Sequence, residues 1–301
     1  MEQETEQRKK HWYNKYYKLL LLIPAIILIF SFVYMVVFYQ TNGDFIYKDI
    51  SLTGGTTITI YEKINLDKLE IGISGKLNDL STREIYDLIT GEQKAVILET
   101  KTNATQTKEV LENYLGYELT DENSSLEFTS SIFSENFYKQ LLIAILIAFI
   151  FMAIVVFIIF RTVVPSVAVI ISAFADILMT LVLVDILGLK MSLGGIIAFL
   201  MLIGYSVDTD ILLTTRILKR SEGSVNQRIF GAFKTGITMT LTSLIAILSA
   251  LFIVQSFSIV LTQIFTILAI GLGFDILNTW ITNVSILKWY MSSKHKKEHG
   301  N

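Results

Sequence analysis

A run of 21 residues without a single charge, positions 19–39, does more than any other feature to limit what this chain can become. A helix over that run is about 30 Å long, the thickness of the hydrocarbon core of a bilayer. A cleavable signal peptide is the competing reading. The run exceeds a typical signal core, and Phe38, Tyr39 and Gln40 stand where small residues would mark a cleavage site, so it reads as an uncleaved spanning helix. Five more apolar runs follow, at about 141–160, 163–184, 193–213, 235–254 and 260–286. Six spans put both termini on one side of the membrane.

Composition agrees: 52% hydrophobic residues and a mean hydropathy of +0.55 are too apolar for an ordinary soluble chain. The 27 acidic and 25 basic residues nearly cancel and suggest no nucleic-acid partner, but their positions are informative. Between Asp44 and Glu135 there are 17 acidic residues and eight basic ones. Bases gather instead at Arg8, Lys9, Lys10, Lys15 and Lys18, at Arg161, at Arg216, Lys219, Arg220, Arg228 and Lys234, and at Lys288, Lys294, Lys296 and Lys297. With six spans all four groups fall on one side, and the retention of Lys and Arg in the cytoplasm makes that side cytoplasmic. The expected organisation is a cytoplasmic segment 1–18, a first span 19–39, an extracytoplasmic domain 40–138, spans two to six over 139–290 with a cytoplasmic loop 214–234, and a cytoplasmic tail 291–301. The absence of cysteine excludes disulfides and thiolate chemistry.

The segment 40–138 reads as a small α+β domain. Residues 57–61 alternate as a strand does, and 94–100 hold a compact apolar run. Ser81 with Glu84 predicts a capped helix carrying Ile85, Leu88 and Ile89, and Asn103 with Gln106 predicts another before Val110, Leu111, Tyr114 and Leu115. Sequons at Asn103 and Asn123 suit an outside location.

Four carboxylates lie within the apolar runs: Asp176, Asp208, Asp210 and Asp275. Such groups cost about 2.5–3.5 kcal/mol near a helix centre, so they usually face a bundle interior and mark ion paths or interhelical contacts. Asp208 and Asp210, close to Arg216, also suit boundary charges, yet Asp208 is the one singled out. Thr235, Thr238 and Thr242 recur at helical spacing, and Asn278 and Asn283 can bond to neighbouring helices. The basic loop with Val225, Ile229, Phe230 and Phe233 reads as an amphipathic helix on the lipid surface. No phosphate loop, metal cluster or nucleophile triad is visible, so no enzyme activity, cofactor or metal is expected. An intramembrane aspartyl protease is rejected because Asp275 follows Gly271-Leu272-Gly273-Phe274 one residue too late, a shift of about 100° around the helix.

Three motifs carry a resemblance. Ser51-Leu52-Thr53-Gly54-Gly55-Thr56 follows the first span, Phe160-Arg161-Thr162-Val163-Val164-Pro165-Ser166 joins the second and third, and Gly204-Tyr205-Ser206-Val207-Asp208-Thr209-Asp210 lies in the fourth. In these, and in the order of elements over nearly the whole chain, the sequence resembles the SecF family of Sec protein-export membrane proteins, of the archaeal type. The resemblance implies a six-helix half-unit of the RND superfamily with an inserted, ferredoxin-like extracytoplasmic domain in the plasma membrane. As partners it implies a SecD-like subunit, the Sec channel, a translocating polypeptide and the lipid bilayer. Assistance to late protein translocation is the implied work, with proton flow proposed to drive it. Asp208 and Lys234, where Lys234-Thr235 replaces the bacterial arginine before a threonine, become the candidate coupling pair beside Asp210, Asp176 and Asp275. An RND-type transporter half for small molecules or lipids, or a membrane scaffold, are the alternatives.

Overall fold

A computed structural model describes residues 17–87, 90–219, 224–256 and 258–298. In chain order its elements are α1 (Leu22–Asn42), α2 (Ile50–Thr53), β1 (Gly55–Ile60), α3 (Leu66–Ile73), β2 (Ser81–Tyr86), β3 (Gln93–Thr100), α4 (Ala104–Leu115), β4 (Ser124–Thr129), α5 (Ser131–Phe160), α6 (Val163–Ile186), α7 (Leu193–Lys219), α8 (Val225–Val254) and α9 (Ile259–Leu277). A π-helical turn over Asn278–Asn283 and α10 (Val284–Glu298) complete them. Six stretches are long and apolar enough to span a membrane: Tyr17–Asn42, Phe133–Phe160, Val163–Ile186, Leu193–Lys219, Val225–Val254 and Ile259–Ser293. Ile26, Phe151, Ile245 and Phe252 lie exposed on the outside of the bundle, a surface that lipid solvates and water would not. The most buried spans are α6 and α7, with α9 packed on both. Arg8, Lys9, Lys10, Lys15 and Arg220, used above to orient the chain, lie outside the described residues.

Between α1 and α5 sits a four-stranded antiparallel sheet in the order β2-β3-β1-β4, with α3 and α4 on one face. The chain order β-α-β-β-α-β with this strand order is the ferredoxin-like arrangement. Ile58, Ile60, Val96 and Leu98 from the sheet meet Leu69, Ile73 and Leu111 from the helices, and all are fully buried. Asn65 caps α3 by accepting a hydrogen bond from the Lys68 amide, and Asn103 caps α4 through the Gln106 amide.

Residues 81–86 correct the expected helix: they form β2. Six residues there pair with β3, from Ser81 opposite Glu99 to Tyr86 opposite Gln93, and that ladder outweighs a four-residue capping pattern. Gly91, in a left-handed conformation, turns the chain into β3. Leu88 and Ile89, which the expected helix used, lie outside the described residues. The amphipathic surface helix is corrected too. Val225 to Phe233 are the first turns of the 30-residue helix α8, started by Ser224 and Gln227 in a reciprocal capping box. Arg216 Nη2 donates to Thr235 Oγ1 (2.9 Å) and Arg228 Nη1 to the Ile217 carbonyl (2.7 Å), so these bases hold α7 to α8.

The α+β domain is tied to one end of the bundle. Asp49 N donates to the Met191 carbonyl and Met191 N to that of Tyr47, while Leu193 N donates to Ser51 Oγ. Gln263 on α9 accepts from the Ser192 amide and donates to the Lys190 carbonyl. Lys190 also pairs with Asp79, which Lys101 contacts as well. Burial pushes the Asp49 carboxyl up from its ordinary value, against the hydrogen bonds from Ser51. Burial also acts to raise Asp79, but hydrogen bonds and charge from Lys101 and Lys190 overcome it and hold that group low.

A buried carboxylate network as the candidate functional site

Three of the four carboxylates that the sequence places within its apolar runs converge. Asp176 on α6, Asp210 on α7 and Asp275 on α9 are each fully buried, as are Asn278, Thr279 and Asn283 of the π-helical turn. A π turn closes over five residues rather than four, so Asn278 and Asn283 share a face that an α-helix would split. Asp176 accepts hydrogen bonds from Ser206 Oγ (2.5 Å) and Asn278 Nδ2 (2.7 Å). Asp210 Oδ1 accepts from Asn283 Nδ2 (2.7 Å), Thr279 Oγ1 (2.9 Å) and Ser172 Oγ (3.3 Å). Thr209 Oγ1 lies 2.9 Å from Asp275 Oδ1.

Thr279 joins two of the acids, with its hydroxyl 2.9 Å from Asp210 and 3.1 Å from Asp275. It has one hydrogen, so it donates to only one carboxylate at a time. Among the described residues, no salt bridge includes any of the three acids. Three buried carboxylates with no cation beside them cannot all stay ionised and uncompensated, because desolvating that charge is too costly. Chemically, the arrangement can hold a proton or a small cation.

Asp208, the carboxylate expected to matter most, stands apart. It is exposed on the outside of α7, and with Ile197, Met201, Gly204 and Tyr205 it forms one outward stripe along the helix. Lys234 is exposed on α8, and among the described residues it forms no salt bridge with Asp208. Thr238 and Thr242 are exposed and donate to carbonyls of their own helix, whereas buried Thr240 donates to Gly236 O. Ser172 and Thr279, and the motif residues Ser206 and Thr209, are network members that the sequence alone does not assign, although each lies three or four residues from a membrane carboxylate or beside one.

The other motif residues have structural places. Thr53 Oγ1 donates to the Asp49 carbonyl (2.9 Å) and Thr56 Oγ1 to that of Thr102 (2.7 Å). Gly54 and Gly55 press against Ser131 and Thr100, Arg161 ends α5 in a left-handed conformation, and Pro165 is buried in the first turn of α6.

Comparison with known proteins decides the family. Residues 109–293 match the family described as "Protein export membrane protein SecD/SecF, C-terminal". Proteins called "Protein-export membrane protein SecF" are similar over most of the chain. That of Methanothermobacter thermautotrophicus is 39% identical over 92% of this chain and 93% of its own, and that of Methanocaldococcus jannaschii is 38% identical over 94% and 99%. This chain belongs to the SecD/SecF family. The relative from Pyrococcus furiosus, 35% identical over 93% of both chains, extends the likeness among archaeal members of the family. Among solved structures, the crystal structure of SecDF, a translocon-associated membrane protein from Thermus thermophilus, superposes with a TM-score of 0.72 at 18% identity, over 92% of this chain. A second, of SecDF in a super-membrane-facing form, gives 0.61 at 17% identity over 93%. This chain spans 38% and 39% of those longer chains, which share its fold.

Proposed function

We propose that this SecD/SecF family member is a non-enzymatic accessory subunit of the Sec translocase that assists late protein translocation across the plasma membrane, acts with a SecD-like subunit, and is driven by ion flow through the buried network. What carries this is the convergence of Asp176, Asp210 and Asp275 on three spans of a bundle whose relatives are named for protein export. Partnership with a SecD-like bundle is supported by the likeness to SecDF, of which this chain corresponds to a part, and by the outward stripe ending in Asp208. A carboxylate turned toward lipid costs about 2.5–3.5 kcal/mol, which a polar partner surface would offset. The termini are assigned to the cytoplasm, and residues 40–138 to the outside, from the distribution of Lys and Arg.

The test combines assembly with coupling. Affinity isolation from native membranes in mild detergent should recover a second polytopic subunit together with the Sec channel. Asp210→Asn keeps shape and most hydrogen bonds while removing the charge. It should leave that assembly intact and sharply reduce the part of export that a protonophore or ionophore abolishes. Isolation as a lone subunit, or an Asn variant with the full gradient-dependent component, would refute the proposal.

A further inference from the structure

Three stretches of the chain match the acceptor pattern for asparagine-linked sugar, Asn-X-Ser/Thr, and the fold treats them differently. Asn283-Val284-Ser285 is closed off, with Asn283 and Ser285 both buried within the last membrane span. Asn123-Ser124-Ser125 is committed to structure. Asn123 Nδ2 donates to the Glu118 carbonyl (3.0 Å) and its Oδ1 accepts from the Thr120 amide (2.8 Å), while Ser125 is held in β4 opposite Thr59. Asn103-Ala104-Thr105 is open. Asn103 and Thr105 are both exposed, and among the described residues no group hydrogen-bonds to Asn103 Nδ2 or to Thr105 Oγ1. Of the polar side-chain atoms of Asn103 only Oδ1 is engaged, accepting from the Gln106 amide (2.9 Å) to cap α4.

We propose that Asn103 is a glycosylation site, taking an oligosaccharide from a polyisoprenyl phosphate carrier on the outer face of the membrane. In the transfer Asn103 Nδ2 bonds to C1 of the first sugar, the bond from C1 to the carrier's phosphate oxygen breaks with its electron pair, and one Nδ2 proton is released to solvent. The modification uses the atom that the fold leaves free and spares the one it needs, because a glycosylated amide keeps its carbonyl oxygen and still caps α4. Access fits as well. A transferring enzyme must hold the Asn and Thr of its acceptor together in an opened chain. Ala104 and Thr105 are the first two residues of α4, whose amides have no partner within the helix, so opening here gives up the cap and the first helical bonds only. At Asn123 the same opening would strip the segment from the Glu118–Thr120 turn and from the ladder with β1.

The site rests on the outward placement of residues 40–138 proposed above, and its test keeps the two apart. The full chain is isolated from its native membranes and digested with trypsin. Cleavage after Lys101, Lys108 and Lys139 leaves Asn103 alone on residues 102–108 and Asn123 on residues 109–139. By mass spectrometry the first peptide should carry added sugar and the second should not. Thr105→Ala should abolish the addition, and so should Asn103→Asp, which removes the acceptor nitrogen but retains a cap. Both variants should still unfold in a cooperative thermal transition. If either fails to fold, the peptides of the unaltered chain decide. A 102–108 peptide found only unmodified, sugar on 109–139 in its place, or sugar that persists in Thr105→Ala would overturn the site. Lys76→Cys, exposed on the same domain, reports topology through an impermeant maleimide. An unmodified Asn103 on a domain labelled from outside refutes the site alone, whereas one on a domain labelled from inside refutes the outward placement with it.

Discussion

At Gly54 a side chain has nowhere to go. An added Cβ would lie 2.4 Å from Ser131 Cα and 2.5 Å from Ser131 N, and the backbone holds φ +81°. Gly55 meets the Thr100 carbonyl as closely, so the chain leaves α2 for β1 through a slot between the start of α5 and the end of β3. The sequence suggests a turn there; the tight fit comes from Thr100 and Ser131, far along the chain, and is not visible locally. Gly75, with φ +75° and nothing within 4 Å, is the natural control. Gly75→Ala should cost about 1 kcal/mol from backbone strain alone. Gly54→Ala adds a backbone collision and should cost several times as much, read as a lower thermal midpoint and faster proteolysis near the domain entrance. Equal effects of the two substitutions would mean that the slot is soft.

The spans and strands differ in how plainly the sequence declares them. An uncharged run of membrane length has one solution, whereas Ser81 to Tyr86 satisfies both a helix-start pattern and a strand, and only pairing with β3 decides between them. Helix α3 and strand β4 are faint in the sequence because each is short, with Asn65 at the start of the one and the alternating Leu126 and Phe128 in the other as local signals. Which face of α7 turns inward is also a question of packing. Asp208 and Asp210 are two residues apart, about 200° around a helix, so one can be buried only if the other is not. The exposed stripe therefore has a testable meaning at the level of the helix. The chain has no native cysteine, so single introduced thiols report cleanly. Met201→Cys, on the stripe, should crosslink to a second membrane subunit in native membranes, whereas Phe252→Cys, 70% exposed on an apolar face of α8, should not. Equal crosslinking at both positions, or none at Met201→Cys, would remove the stripe as a docking face.

Taken whole, the chain sets an acidic, capped α+β domain on one end of a bundle whose basic residues gather at the other. Lys190 is the one basic residue at 185–192, where it pairs with Asp79 of the domain. Arg161 and the Arg216 and Arg228 pair lie at the opposite ends of their helices. The geometry fixes which residues share an end but carries no information on which end faces the cytoplasm, and the charge bias alone supplies the direction. Lys76 is exposed beside Gly75 on the domain, and Lys219 is exposed at the end of α7. In intact, right-side-out membrane preparations a membrane-impermeant maleimide should label Lys76→Cys and leave Lys219→Cys untouched until the membrane is opened. Detergent should then make the two equal, which controls for local reactivity. The reverse order before opening would invert the topology, and with it the direction of the ion flow proposed for the carboxylate network.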